Sequence, residues 1–140
     1  MYNNFKSNIS IKIISNGDCV KQNHVGLISK SSHLIRISYN ELYENENVNT
    51  IFSVLSDRSI RLIKKGAYDY SITFKNNSIE NFKLNYKNFG VDYKVKTIQT
   101  KVEENKNEVF LFLDYELISG DSVVRTKIYL HALYGEVYGN

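Results

Sequence analysis

A chain of 140 residues, 42% of them hydrophobic, is long enough to bury one substantial core and too short for two, so one domain over residues 1–140 is expected. The net charge of +3 is too small to imply nucleic acid by itself, and a lone cysteine, Cys19, excludes an internal disulfide and a Cys-rich metal knuckle. Eleven Tyr and seven Phe beside many Ile, Val and Thr favour strand, and without proline the turns rest on Gly, Asn, Asp and Ser.

The N-terminal MYNNFKSNISIKIIS has neither the apolar run nor the cleavage site of a signal peptide. No stretch approaches the roughly 20 apolar residues of a membrane span, so a cytoplasmic protein is expected. Asn8 to Ile14 sets Ile9, Ile11 and Ile13 against Ser10 and Lys12, a strand that ends at the turn Ser15 to Asp18. Val20 to Ser29 is a less regular strand with Gly26 as an expected bulge. Leu34 to Leu42 puts Ile35, Ile37, Tyr39 and Glu41 on one face, so an apolar face ends in a carboxylate. Tyr43 to Asn49 is expected as a polar loop. Thr50 to Leu55 and Ser59 to Lys64 form a hairpin across Ser56, Asp57 and Arg58.

Ile60 to Phe74 is the organising stretch: two alternating segments hinged at Gly66, where a bend or a left-handed residue needs glycine. Asn76 and Asn77 turn the chain into Ile79 to Tyr86, and Asn88 to Gly90 turns it into Val91 to Val102, whose register becomes ambiguous near Ile98. Glu108 to Ile118 is apolar on both faces in its first half, through Val109 and Leu111 on one side and Phe110 and Phe112 on the other. That half is expected to be covered on both sides. Val123 to Tyr134 returns with Val124, Thr126, Ile128 and Leu130 inward, and Gly135 to Asn140 is expected to fray. About ten strands with no helical window make an all-β protein. A closed antiparallel barrel is preferred over a sandwich because closure removes edges that no proline protects.

The segments ISYNEL (37–42), NVNTIFSV (47–54), IRLIKKGAYDYSITF (60–74), FGVDYKVKT (89–97) and LDYELISGD (113–121) occur in an order and spacing that resembles the DUF1934, or YwiB-like, family of bacterial proteins. The resemblance covers the chain from about Ile11 onward. It implies a calycin-like barrel, related in shape to lipocalins, and no established activity. The family pattern often has Arg two residues before the glycine where this chain has Lys64, which keeps the charge and loses the bidentate fork. The family's usual Tyr and Thr before the glycine at Gly90 are poorly matched by Asn85, Tyr86 and Lys87.

The best polar constellation is Tyr39, Glu41, Thr50, Lys64 and Tyr93, on strands that could close around one barrel mouth and orient a small polar ligand. The competing reading is an ordinary ion pair at a barrel end. Cys19, His24, His33 and His131 assemble no nucleophile, base and orienter, so catalysis is not expected, and neither a cofactor nor a metal is implied. Lys94, Lys96, Arg125 and Lys127 alternate outwards near Tyr86, Tyr93 and Tyr129. Solubility explains them better than nucleic acid, which is not an expected partner. The first functional expectation is therefore a non-enzymatic barrel binding a small molecule inside. The alternatives are a side-chain-filled barrel that self-associates as a homodimer through an apolar patch such as Phe110 and Phe112, and, third, a single-strand binder.

Overall fold

The structure, a computed structural model, describes residues 2–137. Ten strands follow one another: β1 (Asn3–Ser15), β2 (Asp18–Lys30), β3 (Ile35–Tyr43), β4 (Glu46–Val54), β5 (Ile60–Gly66), β6 (Tyr68–Phe74), β7 (Ile79–Tyr86), β8 (Phe89–Glu104), β9 (Glu108–Ser119) and β10 (Ser122–Leu133). Each pairs antiparallel with the next, and β10 pairs back onto β1, from Ile9 opposite Ala132 to Ser15 opposite Thr126. The barrel is therefore closed, and every strand has a partner on both sides. Among the described residues no helix is long and apolar enough to cross a membrane.

The turns at one end, called upper here, follow β1, β3, β5, β7 and β9; the lower end holds the others. Upper turns need left-handed residues to match strand twist, and they have them at Asn16 and Gly17, Glu44 and Asn45, Lys87, and Gly120. The segment expected as a loop from Tyr43 to Asn49 is instead a two-residue turn between paired strands. Its ENENVN composition hides the strand because the buried Val48 is its one apolar residue and sets up no alternation. Gly26 makes no bulge, since the β1–β2 ladder runs through it unbroken. Its hydrogen allows close crossing instead: a Cβ there would lie 2.1 Å from the Ser38 carbonyl oxygen and 3.0 Å from Tyr39 Cβ. The ambiguity near Ile98 is a β-bulge between Thr97 and Gln99, which turns Thr100 and Val102 inwards beside Leu113 and Leu111.

The lower half is packed solid. Ile28, Ile37, Phe52, Leu62, Phe74, Leu113 and Leu130 are buried there, and Phe74 meets Tyr115 at 4.7 Å between ring centroids. The tail helps to seal this end rather than fraying. Gly135 donates to the Lys6 carbonyl, Lys6 donates to that of Glu136, and Phe5 meets Tyr134 edge-on. Glu104 holds Lys30 at 2.6 Å and accepts a bond from the Tyr134 hydroxyl. Residues 138–140, expected to fray with the rest of the tail, lie outside the described residues.

Two seams are looser. Strands β6 and β7 share only the pairs Tyr68 with Tyr86 and Asp69 with Asn85. Strands β2 and β3 pair only from Leu27 to Lys30. In both places the ladder is broken along part of the strands, and both seams border the candidate site.

Candidate functional site

Tyr39, Thr50, Lys64 and Tyr70 stand directly opposite one another on β3, β4, β5 and β6, forming one inward row across four strands. Glu41 lies one inward position further up and reaches down to that row. Its Oε1 accepts a bond from Thr50 Oγ1 at 2.8 Å and another from Lys64 Nζ. The Glu41 and Lys64 side chains are each 15% exposed, so the pair is mostly removed from water. Burial, and then the Glu41 charge, push the Tyr39 phenol well above its ordinary range despite its bond with Thr50. His24 stacks on Tyr39 at 4.3 Å and bonds Gln22. The broken β2–β3 ladder gives it room to lean across, while Gly26 lets β2 approach.

Tyr93 does not join this cluster. It stacks on Phe82 at 5.3 Å, and Phe82 in turn meets Tyr70 at 5.8 Å. With Tyr115, Leu117 and Val124 these rings line a cavity of about 300 Å³ in the upper barrel beside the β6–β7 seam. The five residues singled out from sequence thus divide between two adjoining walls, four in the polar cluster that the row makes with Glu41 and one in the cavity. Tyr70 connects them. Burial pushes its phenol well above the usual range, and Tyr115, Tyr68, Glu41 and Tyr39 each add to the effect. Thr126 bonds the Tyr115 hydroxyl. Sequence reading passed over Tyr70, although a hairpin centred on Ala67 places it opposite Lys64.

Gly66 frames the site from above. It adopts φ +135°, where a Cβ would lie 2.1 Å from the Asn47 carbonyl oxygen. Its amide donates to Asp69 Oδ1 at 3.0 Å, and the Ala67 amide takes the Asn47 carbonyl at 3.1 Å. One residue therefore joins β5 to β6, and the tight hairpin keeps Lys64 facing Tyr70.

The remaining candidates lie apart. Cys19 is exposed on the outer face of β2, opposite in direction to inward His24, because five residues along a strand reverse the face. Among the described residues no three His, Cys, Asp or Glu side chains converge on a metal position. Arg125 forms a bidentate pair with Asp114 at 3.0 and 2.8 Å, and Glu116 stands between Lys96 and Arg125, so acidic residues interrupt that basic strip. The first half of β9 is not covered on both faces: Phe110 is 40% exposed on the outside.

A closed, ten-stranded antiparallel barrel with a packed lower half and an aromatic cavity above defines the class of protein. The chain belongs to the DUF1934 family, described as a domain of unknown function, which it matches over residues 5–129. The crystal structure of ywiB protein from Bacillus subtilis is similar to it in fold, with a TM-score of 0.80 at 14% identity, covering 96% of this chain and 94% of that one. No curated protein matches it in sequence.

Proposed function

We propose that the protein is a non-enzymatic, cytoplasmic binder of a small, mainly apolar molecule held in the upper barrel. The observation that carries this reading is the cavity of about 300 Å³ lined by Tyr70, Phe82, Tyr93 and Tyr115. That volume sits at the small end of ligand pockets, about 300–1,000 Å³. A compact planar or branched body would stack among the rings, and one polar group would take the Tyr70 hydroxyl. The Glu41–Lys64 pair supports the site from the next wall. Entry lies at the β6–β7 seam, where only two residue pairs need to part. An exposed single thiol suits a reducing compartment.

The test compares native and denatured masses of gently purified wild type and of Val124→Phe, which fills the cavity from β10. A surplus mass on native wild type, lost on denaturation and missing from Val124→Phe, supports the reading. A wild type without surplus mass, or a variant that retains it, overturns it.

A further inference from the structure

The second concavity of the molecule is on its outside. Strands β2, β1, β10, β9 and β8 form a curved wall whose outer face holds a groove of about 830 Å³. Antiparallel partners point the same way, so the register orders the groove in rows. One row reads Lys21, Lys12, Tyr129, Phe112, Lys101 from β2 to β8. The next reads Asn23, Ser10, His131, Phe110, Glu103. Four rings thus form a block two by two, with lysines on both flanks of one row.

The block is ordered and open to solvent. Phe110 and His131 stack at 4.3 Å with planes 4° apart, and Phe112 meets Tyr129 at 4.9 Å. Phe110 and Tyr129 are each 40% exposed. His131 Nε2 lies 3.4 Å from Glu108 Oε2, while across the sheet from it stand Ser10 and Asn23, short side chains that leave that side of the stack open. Lys12 Nζ lies 4.9 Å from the Tyr129 ring centroid, and among the described residues none of Lys12, Lys21 and Lys101 has an ion-pair partner. Against these three charges the groove sets Glu103, and Glu108 stands at its edge against His131.

We infer that this outer groove is a binding surface for single-stranded nucleic acid, its bases adding to the ring block and its phosphates meeting Lys12, Lys21 and Lys101. Charge complementarity selects this occupant. A second copy of the chain would bring the same unpaired lysines against them, and like charges across an interface oppose association. An acidic peptide would satisfy the lysines and leave the rings unused. A duplex keeps its bases stacked within itself, out of reach of rings standing on a sheet. This site is independent of the interior cavity, and its residues face away from it.

The test is fluorescence anisotropy with labelled oligo-dT and oligo-U of about 15 nucleotides on the full chain. Binding by either strand is expected. Three phosphate contacts on a single strand give a salt slope of about −2, so affinity should fall roughly 20-fold between 50 and 200 mM salt. Phe112→Ala should weaken binding about 10-fold, and Lys101→Ala should reduce the slope by about 0.7. Both side chains point outward, and an unchanged far-UV spectrum checks that the barrel is kept. Lys12→Ala is the second charge variant should Lys101→Ala fail to fold. No binding at 50 mM salt, equal binding of a duplex, displacement by polyglutamate as readily as by oligonucleotide, or an affinity unchanged in Phe112→Ala would each overturn the inference. So would a wild-type dimer that Phe112→Ala converts to monomer, since the face would then join two copies.

Discussion

Gly66→Ala measures how far one hydrogen organises the upper barrel. The new Cβ would sit 2.1 Å from the Asn47 carbonyl oxygen at φ +135°, so two costs apply at once. A side chain in that backbone region costs about 1–3 kcal/mol. Relieving the contact forces the ends of β4 and β5 apart, about 1–3 kcal/mol more for a local overpacking, and lengthens the Ala67 amide bond to the same oxygen. The expected total is about 2–6 kcal/mol. For a chain of 140 residues the unfolding entropy is about 0.3 kcal/mol/K, so the Tm should fall by roughly 7–20 °C. Gly17→Ala is the control, because Gly17 also has a left-handed φ, +85°, and yet a Cβ there meets nothing within 4 Å. It should lose only about 1 kcal/mol, or roughly 3 °C. Differential scanning calorimetry and urea unfolding of both variants separate backbone strain from close approach. If Gly66→Ala loses no more than Gly17→Ala, the contact with Asn47 does not constrain the hairpin, and the placement of Lys64 opposite Tyr70 needs another cause.

Lys64→Met should cost about 1–2 kcal/mol in urea unfolding, less than a fully buried pair because each side chain keeps 15% exposure. Adding Glu41→Gln should recover part of that loss, and additive single effects would show the pair to be uncoupled. Tyr39, Tyr70 and Tyr115 all have phenols raised above the ordinary value of 10 in the folded state, chiefly by burial. An acid whose folded value is raised holds its proton more tightly when folded, so this contribution is intact below pH 10 and is lost as the unfolded chain ionises above it. Alkaline unfolding should therefore set in above about pH 10, with these three tyrosines titrating at 295 nm only as the far-UV signal collapses. Ionisation of all 11 tyrosines ahead of that collapse would contradict their burial.

The strands were legible because alternation reports a half-buried surface wherever one face is apolar. Ile79 to Tyr86 has the bounds read from its sequence, and the ambiguity at Ile98 proved to be a bulge. The reading failed where apolar residues are too sparse to alternate. Asn3 to Ser7 extends β1 with Phe5 as its one large apolar residue, and Glu46 to Asn49 belongs to β4 with Val48 alone apolar and buried; their partner strands hold them. The alternation of β3 and β5 also put Tyr39, Glu41 and Lys64 on inward faces, and the hinge at Gly66 followed from its place between two alternating runs.

Sequence alone therefore determined the number of strands, the inward face of most of them and the need for closure, since each depends on local alternation and on edges without proline. Tertiary structure decided which inward residues meet. Tyr93 looked equivalent to Tyr39 along the chain, yet strand order places β8 beside β7 and β9, and so puts Tyr93 in the cavity rather than the polar row. In the same way Phe110 and Phe112 looked like core from β9 alone, and only the pairing of β9 with β10 and of β10 with β1 sets them among Tyr129, His131 and Lys12 on the outer wall. Local alternation determines which face a residue takes; the register between distant strands determines its neighbours on that face.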